Sequence, residues 1–147
     1  MAKNRKIKNA TQNTLNNIEF KSRLEAVIYK SLKESGFEPQ YESTKYIIWE
    51  GFYPTIPFYN KDSKTGLLKL DNKKLINITY TPDFSFTYNN LFIIIEVKGM
   101  ENDVFPLKKK LFRKYLETWK IPVLYFEIYN KKQLMQAIEI IKNYEKD

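Results

Sequence analysis

Tyr80-Thr81-Pro82-Asp83-Phe84-Ser85-Phe86-Thr87-Tyr88-Asn89-Asn90-Leu91-Phe92-Ile93-Ile94-Ile95-Glu96-Val97-Lys98-Gly99 is the stretch from which the fold is read. Residues 84–87 read as extended chain, and Asn89-Asn90 as a turn. Residues 91–98 read as a strand whose first five positions are all apolar. Such a run predicts a central strand buried on both faces. Counting outward from Asn89-Asn90 sets Asp83 opposite Glu96 on one face of a hairpin. Lys98, two residues on, shares that face. Aspartate is depleted in strands, and an unpaired buried carboxylate costs roughly 3 kcal/mol or more. A positive charge must offset that cost. Geometry alone leaves two candidates on equal terms: a divalent cation, or an ordinary ion-pair cluster with Lys98.

Around this hairpin the pattern is mixed α/β. Residues 1–17 are polar, carry Lys3, Arg5, Lys6 and Lys8, and read as a flexible basic arm. Residues 18–35 place Phe20, Leu24, Val27, Ile28 and Leu32 at helical spacing, with Gly36 as a stop. A strand is expected over residues 45–50. Residues 51–74, with Pro54, Pro57 and Gly66, read as a long hairpin connection or a two-stranded excursion turning at Lys64-Thr65-Gly66. Residues 75–80 alternate as a strand does. Residues 105–120 predict a helix with the stripe Leu107, Leu111, Tyr115 and Trp119, and residues 121–129 another strand. Residues 131–144 predict a closing helix with Leu134, Ala137, Ile138 and Ile141 inward. The expectation is one α/β domain over residues 18–147, a mixed central sheet flanked by helices in the order α-β-β-β-α-β-α.

Composition narrows the chemistry. The 147 residues include neither cysteine nor histidine. Disulfides, thiolate metal sites, Ser-His-Asp systems and His-based zinc sites are therefore excluded. Carboxylate and carbonyl oxygens that remain suit Mg²⁺ or Mn²⁺. The net charge of +8 favours a polyanion, nucleic acid above all, although a lysine-rich coding bias would produce the same number. Lys108, Lys109, Lys110, Arg113 and Lys114, just downstream of the hairpin, are candidate phosphate contacts. A solvated helix face is the alternative for each. Asp103 is expected to cap that helix. No apolar run approaches the ~20 residues of a membrane span, and no signal peptide is visible, so a soluble cytoplasmic protein is expected.

Thr81-Pro82-Asp83-Phe84, with twelve residues between Asp83 and Glu96, then Glu96-Val97-Lys98-Gly99, resembles the core of the PD-(D/E)XK nuclease superfamily. The resemblance implies a restriction-endonuclease-like domain in which Asp83, Glu96 and the Val97 carbonyl hold the metal and Lys98 serves the attacking water. Ser22-Arg23-Leu24-Glu25, then Gly36 and Tyr41-Glu42, is similar to the opening of the phage endonuclease I family of Holliday-junction resolvases. That similarity implies Glu25 as a further active-site acid and metal ligand, a branched DNA substrate, and a homodimer. Phe52-Tyr53-Pro54 to Phe58-Tyr59 is a candidate interface. The chain departs from the resolvases at Arg23, where they often carry Gly. After Gly99 it looks more like small phage and prophage nucleases. The expected function is a Mg²⁺-dependent, structure-selective DNA endonuclease, in the host cell if phage-encoded. A general or restriction-type duplex endonuclease, and a non-catalytic basic nucleic-acid-binding protein of the same fold, are the alternatives.

Overall fold

A computed structural model describes residues 13–99 and 104–144. Along the chain these form β1 (Thr14–Leu15), β2 (Ile18–Glu19), α1 (Arg23–Glu34), β3 (Gln40–Tyr41), β4 (Tyr46–Trp49), β5 (Tyr59–Lys61) and β6 (Leu68–Leu70). Then follow β7 (Ile78–Tyr80), β8 (Phe84–Tyr88), β9 (Leu91–Val97), α2 (Phe105–Leu116), β10 (Val123–Ile128) and α3 (Lys131–Lys142). The protein is mixed α/β, as its periodicity predicts, but the element order is richer than expected. A hairpin precedes the first helix, and strands β3 to β9 all lie before α2. Short strands of two or three residues carry too little alternation to be seen in sequence.

The central sheet has the order β10-β9-β8-β3. β8 and β9 are antiparallel from Tyr88↔Leu91 to Phe84↔Ile95, the register that counting from the turn predicts. Asn89 (φ 49°) and Asn90 (φ 65°) both take left-handed backbone, as a two-residue hairpin turn requires. β10 lies parallel to β9 on its other side, reached through α2. β9 is thus a central strand, and Leu91 and Ile93 to Glu96 are buried.

Two apolar layers form on its two faces. Ile93 and Ile95 pack with Phe84, Phe86, α1 (Ile28, Tyr29, Leu32) and α3 (Leu134, Ala137, Ile138, Ile141). Ile94 points the other way, with Tyr80, Phe105 and Phe112. β4 and β7 pair beside this second layer, and Tyr46 packs against Phe112.

The first helix starts at Arg23 rather than residue 18, because residues 14–19 form the β1–β2 hairpin through Asn16 and Asn17. Part of the predicted basic arm is therefore folded, with Leu15 and Ile18 against the core. The arm's first twelve residues lie outside the described ones, as does Asp103. The N-cap position of α2 is held by Val104, with no side-chain cap. The segment at 51–74 is a two-stranded excursion, β5 with β6, turning through Gly66 (φ +74°). No helix among the described residues is long and apolar enough to cross a membrane.

The inward face of α2 and the turn after it includes Tyr115 and Trp119, as expected, but not Leu107. Phe105 and Phe112 are buried, whereas Leu107 is 55% exposed. The larger aromatics take the interior because they fill the space over Ile94 and Tyr80. Phe112→Ala is accordingly expected to lower unfolding free energy by roughly 3–5 kcal/mol. Leu107→Ala should change it by about 0.5 kcal/mol or less. Denaturant melts of the two variants check this, and a reversed order would mean that α2 presents its other face.

Candidate active site

The site forms where the N-terminus of α1, the end of β3 and the ends of the β8–β9 hairpin meet. Ser22 caps α1: its hydroxyl oxygen accepts from the Glu25 amide at 3.1 Å, and its O–H donates to Glu25 Oε1 at 2.8 Å. Glu25 is thereby fixed at the start of the helix and buried. Its Oε2 accepts from the Tyr41 hydroxyl at 2.7 Å. β3 places Tyr41 there by pairing Tyr41 with Phe84. The next residue, Glu42, turns through φ 45° and its amide donates to the Asp83 carbonyl at 2.8 Å. Carboxylate oxygens of Glu25, Glu42 and Asp83 consequently lie within 4.8 Å of one another.

Asp83 reaches across the hairpin, and its Oδ2 accepts from the Val97 amide at 2.7 Å. Glu96 stands beside this cluster, on the face that also carries Ile94. Glu96 Oε2 accepts from the Tyr80 hydroxyl at 2.7 Å, and Oε1 lies 3.2 Å from Lys98 Nζ. Tyr80 in turn shares a hydrogen bond of 2.9 Å with the Tyr125 hydroxyl. Lys98 is buried, with its ammonium 3.4 Å from the centroid of the Phe105 ring.

The electrostatics separate Asp83 from the other acids. Glu42 pairs with Lys21 at 2.8 Å, Glu96 with Lys98, and Glu25 is held by two hydroxyls. Asp83 has no ion pair among the described residues and faces Glu96, Glu25 and Glu42. Burial and then the Glu96 charge push its carboxyl up to about 8, against the smaller opposing pull of the Val97 amide. Burial also raises Glu96, opposed by Tyr80 and Lys98. Burial and the neighbouring carboxylate hold the Tyr80 hydroxyl protonated, hence a donor, far above the usual phenol range. Lys21 is raised by its bond to Glu42.

Of the residues singled out in the sequence, Glu25 and Asp83 come together in the acidic cluster, with Glu96 and Lys98 adjoining it. Val97 meets the site through its N–H, which orients Asp83. The five basic residues of α2 differ in exposure and partners. Lys109 bonds Glu127 at 2.8 Å, Lys108 is half-buried, and Lys110, Arg113 and Lys114 are exposed. Sequence reasoning missed Glu42 as a site residue, together with Tyr41, Lys21, Tyr80 and Tyr125. Tyr41-Glu42 carried the one available signal, since it forms part of the resemblance. A two-residue strand gives no periodicity from which to infer that Glu42 would arrive beside Asp83.

Residues 5–128 match the family described as "Protein of unknown function (DUF1064)". The chain belongs to DUF1064. The span matched in this DUF1064 chain contains every acid of the site together with Lys98, and ends before α3. No curated protein and no solved structure matches it.

The elevated Asp83 carboxyl has a measurable consequence. From about pH 3.8 to about 8 the folded chain keeps a proton that the unfolded chain has released. Its contribution to stability is therefore present at low pH and lost as pH rises through that window. Asp83→Asn, neutral throughout, is expected to melt above the parent at pH 8, with the difference shrinking toward pH 5. Thermal melts of both proteins across that range check it; a parent that melts higher at pH 8 would contradict it.

Proposed function

We propose that this chain is a Mg²⁺- or Mn²⁺-dependent endodeoxyribonuclease. One observation carries the reading. Asp83 is half-buried among three other carboxylates without an ion pair among the described residues, and one of those carboxylates, Glu96, is paired with a buried lysine. An arrangement that is costly for folding is expected where a charge is to be bound or moved. The donor set fits a hard cation, since Glu25, Glu42 and Asp83 offer only oxygen and their oxygens lie close enough to share one ion. Glu96 adjoins them as a further ligand or as the acid that tunes Lys98. Such an ion, when bound, lowers the pKa of a water and neutralises charge on a scissile phosphate.

The chain's own groups supply the rest. Val97 N–H and the Glu42 amide fix the two ends of Asp83, its carboxylate and its carbonyl. Tyr80 and Lys98 hold the two oxygens of Glu96. An ammonium has three N–H donors. With one directed at Glu96, Lys98 is placed to orient an oxygen nucleophile or to balance negative charge developing on phosphate. Lys21, paired with Glu42 and largely exposed, is a candidate to meet a phosphate. The resemblance to PD-(D/E)XK nucleases supports the same assignment of Asp83, Glu96 and Lys98.

Selectivity for branched DNA rests on the resemblance to junction resolvases. No base-reading module is visible in the sequence, which fits recognition of shape. A nuclease of this kind meets its DNA in the cytoplasm, the host's if the chain is phage-encoded.

A cleavage panel of four-way junction, flap, linear duplex and single-stranded DNA tests the reading. Expected is cutting that requires Mg²⁺ or Mn²⁺, stops with chelator, and falls about 100-fold or more in Asp83→Ala. Tyr80→Phe, which removes one bond to Glu96, should cost about 10- to 100-fold. Equal cutting of linear duplex would replace the resolvase reading with a general endonuclease. No metal-dependent cutting of any form would sink the nuclease reading itself.

A further inference from the structure

The cavity between α2 and β10 takes no part in the acidic site. Its volume is about 570 Å³, within the range of roughly 300–1,000 Å³ usual for small-molecule sites. β10 is an edge strand of the central sheet. Its Tyr125 and Glu127 share the face that carries Ile94, and both line the cavity. Lys109, Arg113 and Glu117, spaced four residues apart along α2 and its C-cap, line the opposite wall. Trp119 follows in the turn after the helix and completes the lining.

The two ends of the cavity differ. At the end toward the acidic site, Lys109 and the Tyr129 hydroxyl hold the two oxygens of Glu127, at 2.8 and 2.7 Å. At the other end Tyr46, Phe92 and Tyr115 pack round the half-buried Trp119, with ring centroids 5.6, 5.6 and 6.0 Å away. Three rings thus fix the indole, and part of its surface is left to the cavity. Between the ends Arg113 and Glu117 are exposed, and neither has an ion pair among the described residues. A guanidinium only donates hydrogen bonds and a carboxylate only accepts them. A ligand that suits all three groups is anionic at one point, a donor at another, and flat.

We propose that this cavity takes one unstacked nucleotide, its base on the Trp119 indole, an N–H of the base on Glu117 and its phosphate on Arg113. Stacking on an aromatic side chain suits any base. Glu117 adds a preference, since guanine offers a carboxylate two adjacent N–H donors, whereas thymine offers one between two carbonyls that repel it. Such a nucleotide comes from a nucleic-acid strand or from a free nucleotide, and position favours the strand. Glu127 is the register partner of Glu96, so the cavity begins one strand, about 4.8 Å, from the acidic site. A nucleotide next to one held at Glu96 and Lys98 is therefore at hand to enter it. Branch points and single strands supply bases free of pairing, and linear duplex does not. That placement rests on the nuclease reading; the chemistry of the cavity does not.

Titration with dGMP in the presence of a chelator tests the cavity apart from any cation at the acidic site. The chain has two tryptophans, so Trp49→Phe leaves Trp119 as the reporter. Saturable quenching of its fluorescence by dGMP is expected, with dTMP about 10-fold weaker and inorganic phosphate without effect. In that background Arg113→Gln and Glu117→Gln, both exposed and so compatible with folding, should each weaken dGMP about 10-fold. Lys30→Gln, which removes a charge from the exposed side of α1, should leave it unchanged. Glu117→Gln is the sharper variant, because removing a negative charge tightens non-specific binding of an anion and the proposal requires the opposite. A short single-stranded DNA containing guanine separates the sources. Tighter binding than dGMP, with the same loss in Glu117→Gln, assigns the cavity to a strand; no gain over dGMP assigns it to a free nucleotide. No saturable quenching by either probe overturns the proposal, as does dGMP binding that both cavity variants leave unchanged. Metal-dependent cleavage in that case leaves the nuclease reading standing, whereas dGMP binding without cleavage of any DNA removes that reading and keeps the cavity.

Discussion

Asp83 and Glu96 stand side by side because β8 and β9 hold a single register along the whole hairpin, from Tyr88↔Leu91 to Phe84↔Ile95. That register is what the rest of the site depends on. A slip of one residue would exchange the layers of Ile93 and Ile94 and turn Glu96 into the aliphatic interior. The Asn89-Asn90 turn sets the register locally, since both residues accept the left-handed backbone that a tight hairpin demands. The two apolar layers then lock it, because Ile93 and Ile95 fit only against α1 and α3, and Ile94 only against Phe112 and Tyr80. The carboxylates are carried to the end of this hairpin by forces that have nothing to do with their own chemistry.

That hairpin was legible in the sequence because both of its signals are local. Five consecutive apolar residues and an Asn-Asn turn need no knowledge of the remaining chain. The closing helix was legible for the same reason, with Leu134, Ala137, Ile138 and Ile141 buried as their spacing implies. Glu42 was hidden, since its position depends on a two-residue strand paired over forty residues away in sequence. The face of α2 was legible at Tyr115 and Trp119 but misread toward its start, where Leu111 and Phe112 are adjacent and both apolar. Which of them goes inward is decided by the shape of the layer above Tyr80 and Ile94, and periodicity cannot supply that. The β1–β2 hairpin was likewise masked by polar flanking residues that read as a tail.

The site also shows where stability has been set aside. Glu25, Glu42 and Glu96 each have hydroxyl or lysine partners that an ordinary surface cluster would have. Were all the acids so paired, a structural ion-pair network would account for them. Asp83 breaks that account, since among the described residues its carboxylate accepts from the Val97 amide alone and its near neighbours are also acids. A divalent cation, as proposed, would offset the charge of several carboxylates at once. Tyr80 and Tyr125 extend the polar network from Glu96, and both rings pack against Phe112.

The claim at the centre is that these carboxylates hold a divalent cation. Anomalous scattering from crystals grown or soaked with Mn²⁺ examines it without relying on any substrate. Expected is a peak in contact with Asp83 and with Glu42 or Glu25, absent from Asp83→Asn crystals treated alike. Crystals that show no manganese at these residues, or the same peak in the variant, would contradict it.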